Sequence, residues 1–378
     1  MTLVMPKMVV LDSATLAKVS CDYWNQDSCS RDKARAFIMQ LKNLGVFITF
    51  TATHIVELVR HKDQKVFRDR LRFLRSIPLI TWLRPYDHNW FPGSIVELLL
   101  RELHVVVHGS ARKWQEIVDE ARKNLWETGM GSEIFVENDE FWSIIKRGSE
   151  LLHEKEKYVV SMSRTDAGQM KDMKVSEALR SPIRPKEERD VYIHWFEQEI
   201  QRQLDKHGDS RLNYSRERAI DFANRTLQDV RSMDQMGGDL IQKILELVGV
   251  PEESVSPEMT IAEVGECGVY AKRLEMLSEG LRPAVKLTMR DVPPGSLPSY
   301  VLERKLSSIQ KKAERVSGSD LGDRHIAPLV LYADGVEVDK RTFEFLNQIR
   351  QKEPQLDSLI RFFFTSSDYS QIPELFRE

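Results

Sequence analysis

Met8-Val9-Val10-Leu11-Asp12 is an uninterrupted apolar run that ends on an acid. Consecutive apolar residues predict a strand buried on both faces, as in a parallel sheet, because a half-exposed strand would alternate apolar with polar positions. A helical stretch from Arg31 to Leu44 follows, Gly45 stops it, and Val46-Phe47-Ile48-Thr49-Phe50 reads as a second strand. Thr51 or Thr53 then caps a long helix. Its Ile55, Val56, Leu58, Val59, Val66, Leu71 and Leu74 suit one buried face up to about Arg75, before Pro78. Ile77 to Leu83 is expected as a third strand. Strands alternating with helices through short connections predict a parallel sheet with right-handed crossovers.

The far end of the chain returns to this pattern. Ser299 to Val316 and Asp323 to Tyr332 read as helices, Gly335 to Val338 as a short strand, Arg341 to Gln351 as a helix and Leu359 to Phe364 (LIRFFF) as a last apolar strand. Between the two α/β segments, amphipathic helical patterns follow one another, for example over 110–127, 190–204, 215–233 and 239–248. Neither terminal segment has enough strands to close a sheet alone. The expected organisation is therefore one α/β domain from residues 1–90 and 299–378, interrupted by an all-α insertion over 91–298.

Composition bounds the function without naming it. The chain has 378 residues, 41% hydrophobic and 30% charged, which fits a helix-rich globular protein and excludes a disordered or fibrous one. A net charge of -3 means that any nucleic-acid surface must be a local basic patch. Three cysteines without paired metal-ligand spacing argue against a disulfide framework or a thiolate metal site, and a reducing cytoplasm is the expected compartment. No apolar run reaches membrane-spanning length, so no membrane association is expected.

The chemistry is expected at the acids. Asp320 and Asp323 fall in Ser-Asp-Leu-Gly-Asp-Arg-His (319–325), Asp334 in Tyr-Ala-Asp (332–334) and Asp339 in Val-Asp-Lys-Arg-Thr (338–342). In a parallel sheet, ligands gather beyond the carboxyl ends of the strands. Asp12 and Asp339 sit at such ends, Glu57 near the start of the helix after strand two, and Asp323 at the start of the helix before the fourth strand. Four carboxylates on one rim repel each other unless divalent cations or raised pKa values relieve them. Mg²⁺ or Mn²⁺ held by carboxylates against a phosphate is the matching chemistry.

Other readings compete at each position. Ser319 or Asp320 followed three residues on by an acid is also a helix-start pattern, which makes Asp320 a cap and leaves Asp323 as the ligand, although Asp320 and Asp334 stay open as alternatives to it. Glu57 could pair with Arg60 or His61 on a solvated face. His54, His61 and His325 read as ordinary helix residues. The basic runs 180–186 and 211–218 are mixed with acids and read as solvated faces.

Taken together, Leu11-Asp12-Ser13 after an apolar strand, Glu57 in Thr-His-Ile-Val-Glu-Leu, Asp323 in Gly-Asp-Arg-His-Ile-Ala and Asp339 in Val-Asp-Lys-Arg-Thr resemble the four-acid pattern of PIN-domain nucleases. The resemblance covers roughly residues 7–84 and 299–378. It implies a three-layer α/β domain with a five-stranded parallel sheet in the order 3-2-1-4-5. It also implies Mg²⁺ or Mn²⁺ at Asp12, Glu57, Asp323 and Asp339, with water as nucleophile and RNA, or sometimes DNA, as substrate. Ser13, Asp334, Lys340 and Arg341 are the supporting or substrate-facing candidates. A homodimer is the family-level expectation, and the helical insertion is expected to select substrate or hold a protein partner. A toxin or defence ribonuclease, a DNA nuclease of similar architecture and a scaffold that has lost catalysis are the functions this pattern allows.

Overall fold

A computed structural model describes residues 6–86, 91–109, 113–163, 171–180, 186–209, 211, 214–235, 245, 249–312 and 319–377. Two compact units divide the chain. The first comprises Met1–His153, Gly295–Gln310 and Leu321–Glu378, and the second comprises Glu154–Pro294 and Lys311–Asp320.

The first unit is built on a six-stranded, mostly parallel sheet: β1 (Lys7–Val10), β2 (Val46–Phe50), β3 (Ile80–Leu83), β4 (Trp126–Gly129), β5 (Gly335–Glu337) and β6 (Phe363–Phe364). Its order is β4-β3-β2-β1-β5-β6, with β1 at the junction of the two chain ends. Val9 pairs with Ile48 on one side and Gly335 on the other, so the sheet is continuous across more than three hundred intervening residues. Both faces of β1 are covered. Val9 and Leu11 belong to one large apolar cluster, while Met8 and Val10, which alternate with them, are equally buried away from it.

Helices α1 (Ser13–Tyr23), α2 (Ser28–Asn43), α3 (Ala52–Val59) and α4 (Gln64–Ser76) follow the first two strands. Next come α5 (Ile95–His108), α6 (Trp114–Lys123) and α7 (Gly131–Ile134), with α8 (Asp139–Met162) after them. Local chemistry sets most of their starts. Asp27 and Asp63 accept backbone N–H groups of α2 and α4, and Ser94 and Glu97 form a capping box on α5. Gly45 adopts φ 66° between α2 and β2, a conformation costly for any residue with a Cβ. Later helices include α13 (Pro298–Gln310), α14 (Ser319–Ile326, of which Leu321 onward belongs to this unit) and α15 (Lys340–Lys352).

In the second unit lie α9 (Val175–Arg180), α10 (Lys186–His207), α11 (Ser215–Gln235) and α12 (Ile261–Gly280). Their cores are small: Ile200, Leu204 and Ala219 form one, Val175, Leu245, Val250 and Val264 another. No helix among the described residues is long and apolar enough to cross a membrane.

Several expectations need correction. The sheet has six strands rather than five, because Trp126–Gly129 pairs antiparallel with β3 (Ile80 with Gly129, Leu83 with Trp126) inside a region read as purely helical. A four-residue edge strand needs backbone pairing on one side only, and Trp-Glu-Thr-Gly carries no apolar alternation to announce it. The five parallel strands alone follow the expected 3-2-1-4-5 order. The helix expected to be capped by Thr51 or Thr53 and to run to about Arg75 is two helices, the first capped at Thr51. Its apolar period runs on through the break, but Asp63 turns to accept the N–H groups of Lys65 and Val66 at 2.7 and 3.1 Å and starts α4 afresh. Residues 327–331 wind as a 3₁₀ turn, and only Phe363–Phe364 of LIRFFF is strand. The expected insertion begins at residue 91, whereas the second compact unit begins at Glu154, with α5, α6, β4 and α7 in the first. The helix expected over 239–248 lies almost wholly outside the described residues.

Candidate active site

The ends of two central strands and two helices bring the predicted acids together. Asp12 follows β1 and caps α1, its Oδ1 accepting Ala14 N–H at 2.6 Å. Asp339 follows β5 and caps α15 in the same way, its Oδ1 accepting Thr342 N–H at 2.6 Å. Since β1 and β5 are parallel neighbours, both caps lie at the same carboxyl rim. Glu57 is half-buried on α3, which leaves the carboxyl end of β2, and Asp323 is half-buried on α14.

The electrostatics of this rim are those of an uncompensated acid cluster. Burial, then the charges of Asp339, Asp12 and Glu57, push Asp323 up to about 8, and Arg324 offsets only part of this. Asp12 is raised by burial and by Asp339, against the bond from Ala14. Glu57 is raised by burial and by Asp12, against Ser13 and Arg60. Ser13 lies close enough to Glu57 to lower its pKa, yet its hydroxyl is buried without a hydrogen bond of normal geometry. Gly322 leaves room for the carboxylate, because a Cβ there would stand 2.8 Å from Glu57 Oε1.

The supporting candidates divide. Lys340 is exposed at the first turn of α15, and with Asp12, Thr15, Glu337, Asp339 and Phe343 it lines a cleft of 490 Å³. Arg341 is half-buried, its guanidinium 6.0 Å from the Phe345 ring centre. Asp334 is not at the rim. It precedes β5, so it sits at the amino end of the sheet, where it accepts from Met8 N–H, Arg122 and Arg361 at 2.9, 2.8 and 3.1 Å. Tyr332 is likewise structural, its hydroxyl donating to the buried Glu102 at 2.5 Å. The side chain of Asp320 lies outside the described residues.

Two buried residues at the rim differ from their expected place: Glu337 was not among the expected residues, and His54 was expected as an ordinary helix residue. Glu337, only 2% exposed, is a fifth acid, pushed up to about 7 chiefly by burial. A Glu inside Val336-Glu337-Val338, in a strand buried on both faces, was the available signal. His54, fully buried, is held down to about 4 by its burial and is therefore neutral at physiological pH. Its Nε2 lies 3.0 Å from Leu11 O, a contact that depends on β1 and β2 being neighbours and so left no mark in the local sequence.

A larger cleft of 640 Å³ lies in the second unit, lined in part by Lys272, Glu275, Ser278 and Glu279. Two of its charges are matched to each other, Lys272 to Glu275 at 2.6 Å. The smaller cleft is the one beside Asp12 and Asp339.

Among the described residues, no three His, Cys, Asp or Glu side chains already stand in a metal-chelating array. The donor set nonetheless fits a hard divalent cation: every group is a carboxylate, and Asp12 and Asp339 each use one oxygen on a helix and keep the other without a protein donor among the described residues. At neutral pH the cluster must otherwise retain a proton on Asp323. No protein-family model, no curated protein and no solved structure matches this chain.

Proposed function

We propose that the α/β unit is a PIN-like, metal-dependent nuclease domain that hydrolyses nucleic-acid phosphodiester bonds, with RNA as the leading substrate. The observation that carries this reading is that Asp12, Glu57 and Asp339, from separate places in the sequence, come near enough to Asp323 to add their charges to the burial that pushes it up to about 8. Such a cluster has a role when a cation resides in it. Mg²⁺ or Mn²⁺, when bound, would activate water and neutralise charge developing on the phosphate. Asp12, Glu57, Asp323 and Asp339 would hold it.

The remaining work falls to the chain's own groups. The caps on α1 and α15 fix the Asp12 and Asp339 carboxylates against rigid helix starts. Lys340 offers a cation beside Asp339 for the substrate backbone. Thr15, Phe343 and Ser366 line the adjoining cleft with hydroxyls and one aromatic face, which suits a nucleotide next to the scissile phosphate. The second unit would supply substrate or partner contacts, a cytoplasmic location follows from the cysteine usage, and a homodimer fits the family pattern.

The test is cleavage of single-stranded RNA and DNA with Mn²⁺ by wild type, Asp12→Asn and Asp339→Asn. Each variant is expected to lose on the order of 100-fold or more in rate while melting cooperatively. Undiminished cleavage by both would sink the assignment, and preferred cleavage of DNA would replace the substrate. A scaffold reading is favoured by one observation: among the described residues no three-ligand array is preformed. Absence of cleavage in the wild type together with absence of Mn²⁺ binding would adopt it.

A further inference from the structure

We propose that His54 and Glu337 are positioning residues that clamp the Leu11–Asp12 peptide from both sides and thereby fix where the Asp12 carboxylate is presented. The inference rests on the reading of the acid rim as a divalent-cation site.

The carbonyl of Leu11 and the N–H of Asp12 belong to a single peptide unit, and each is taken by a buried side chain, one from α3 just after β2 and one from β5. On the β2 side, Thr51 N–H donates to His54 Nδ1 at 3.1 Å, which leaves the ring proton on Nε2, and Nε2–H donates to Leu11 O at 3.0 Å. On the β5 side, Asp12 N–H donates to Glu337 Oε2 at 3.1 Å, and Thr15 Oγ1 donates to Glu337 Oε1 at 2.8 Å. His54 is 0% and Glu337 2% exposed.

The position of this peptide explains why side chains are needed. The registers of β1 with β2 and with β5 both end at Val10, paired with Thr49 and Val336. Leu11 O and Asp12 N therefore lie just past the ladder, in a buried region where unmet backbone groups are costly. An imidazole and a carboxyl group are expensive occupants of such a place, and together they hold the peptide at both its oxygen and its hydrogen. Rotation of that unit would break both bonds, so the Cα of Asp12 leaves the strand in one orientation. Groups that orient a ligand from behind typically change metal affinity about 10- to 100-fold when removed.

The experiment pairs two readouts: hydrogen exchange of the Asp12 amide in metal-free protein, and Mn²⁺ affinity by calorimetry. Glu337→Leu is expected to accelerate exchange at Asp12 and weaken Mn²⁺ about 10- to 100-fold. Glu337→Gln, which keeps a carbonyl oxygen for the amide, should stay near wild type in both. His54→Phe should weaken Mn²⁺ binding, and His54→Gln, which can still donate, should recover part of it. Should Glu337→Leu fail to fold, Thr15→Val removes only the anchor of Glu337 and should still speed exchange at Asp12. Wild-type Mn²⁺ affinity and unchanged Asp12 exchange in folded Glu337→Leu and His54→Phe would overturn the clamp alone. Absence of Mn²⁺ binding in the wild type would instead overturn the cation reading beneath it, and the positioning role with it.

Discussion

The two ends of the parallel sheet treat the same residue type in opposite ways. At the amino end, Asp334 is met by Arg122, Arg361 and the Met8 amide, and its charge is answered on the spot. At the carboxyl end, Asp12, Glu57, Asp323 and Asp339 lie close to one another, with Glu337 behind them and, among the described residues, Arg60 and Arg324 as partial relief of Glu57 and Asp323. One sheet therefore carries a finished ion cluster at one rim and an unbalanced one at the other. A folded protein keeps an unbalanced cluster at a cost to stability, a cost that the proposed cation would offset.

Three substitutions sharpen or break that contrast. The largest effect on stability is expected at the balanced end. Asp334→Ala leaves two arginines facing each other without their acid and should cost about 2–3 kcal/mol in chemical denaturation, discounted from a fully buried pair because Asp334 is partly exposed. A loss below 0.5 kcal/mol, on the scale of an ordinary surface pair, would mean the two rims differ less than the geometry indicates.

At the unbalanced end the sign reverses. Asp323 titrates near 8 in the folded chain and near 4 when unfolded, so the folded state binds the proton more tightly. Its contribution is full below pH 4 and is lost as pH rises through 8. Asp323→Asn removes that loss: in metal-free protein it should raise stability at pH 8.5 by about 1–3 kcal/mol and change little at pH 4. Urea melts at the two pH values decide this, and equal effects at both would contradict the assigned coupling. Saturating Mn²⁺ should reverse the ranking of variant and wild type at pH 8.5.

The smallest effect tests how closely the rim is packed. Gly322→Ala sets a methyl against the end of the Glu57 side chain, which can swing aside, so stability should move by less than about 1 kcal/mol while Mn²⁺ affinity falls. An unaltered affinity would show that Glu57 does not need its present position.

Asp12 and Asp339 were legible in the sequence because each follows an element whose apolar pattern is clear, Asp12 after Val9-Val10-Leu11 and Asp339 after Val336 and Val338, whereas Glu57 and Asp323 lie within α3 and α14 and not at the helix starts expected of them, since both helices are only eight residues long. Asp334 was misplaced for a reason of direction. It lies five residues before Asp339, but a three-residue strand runs between them, and that suffices to carry them to opposite ends of the sheet. Edge strand β4 and the break at Asp63 were hidden because hydrophobic periodicity does not register a short, half-paired strand or a turn within a continuing apolar face. The clamp on Leu11–Asp12 was hidden for a further reason: His54 and Glu337 come near β1 only once the strand order is fixed.

The central claim, that the carboxyl rim is a divalent-cation site, is tested most directly by titrating Mn²⁺ into the wild-type protein at pH 7 in buffers of different ionisation enthalpy. The account predicts saturable binding with proton release, since Asp323 holds a proton that the cation must displace, and loss of both in Asp12→Asn. No saturable heat in the wild type, or binding that Asp12→Asn retains in full, would contradict it.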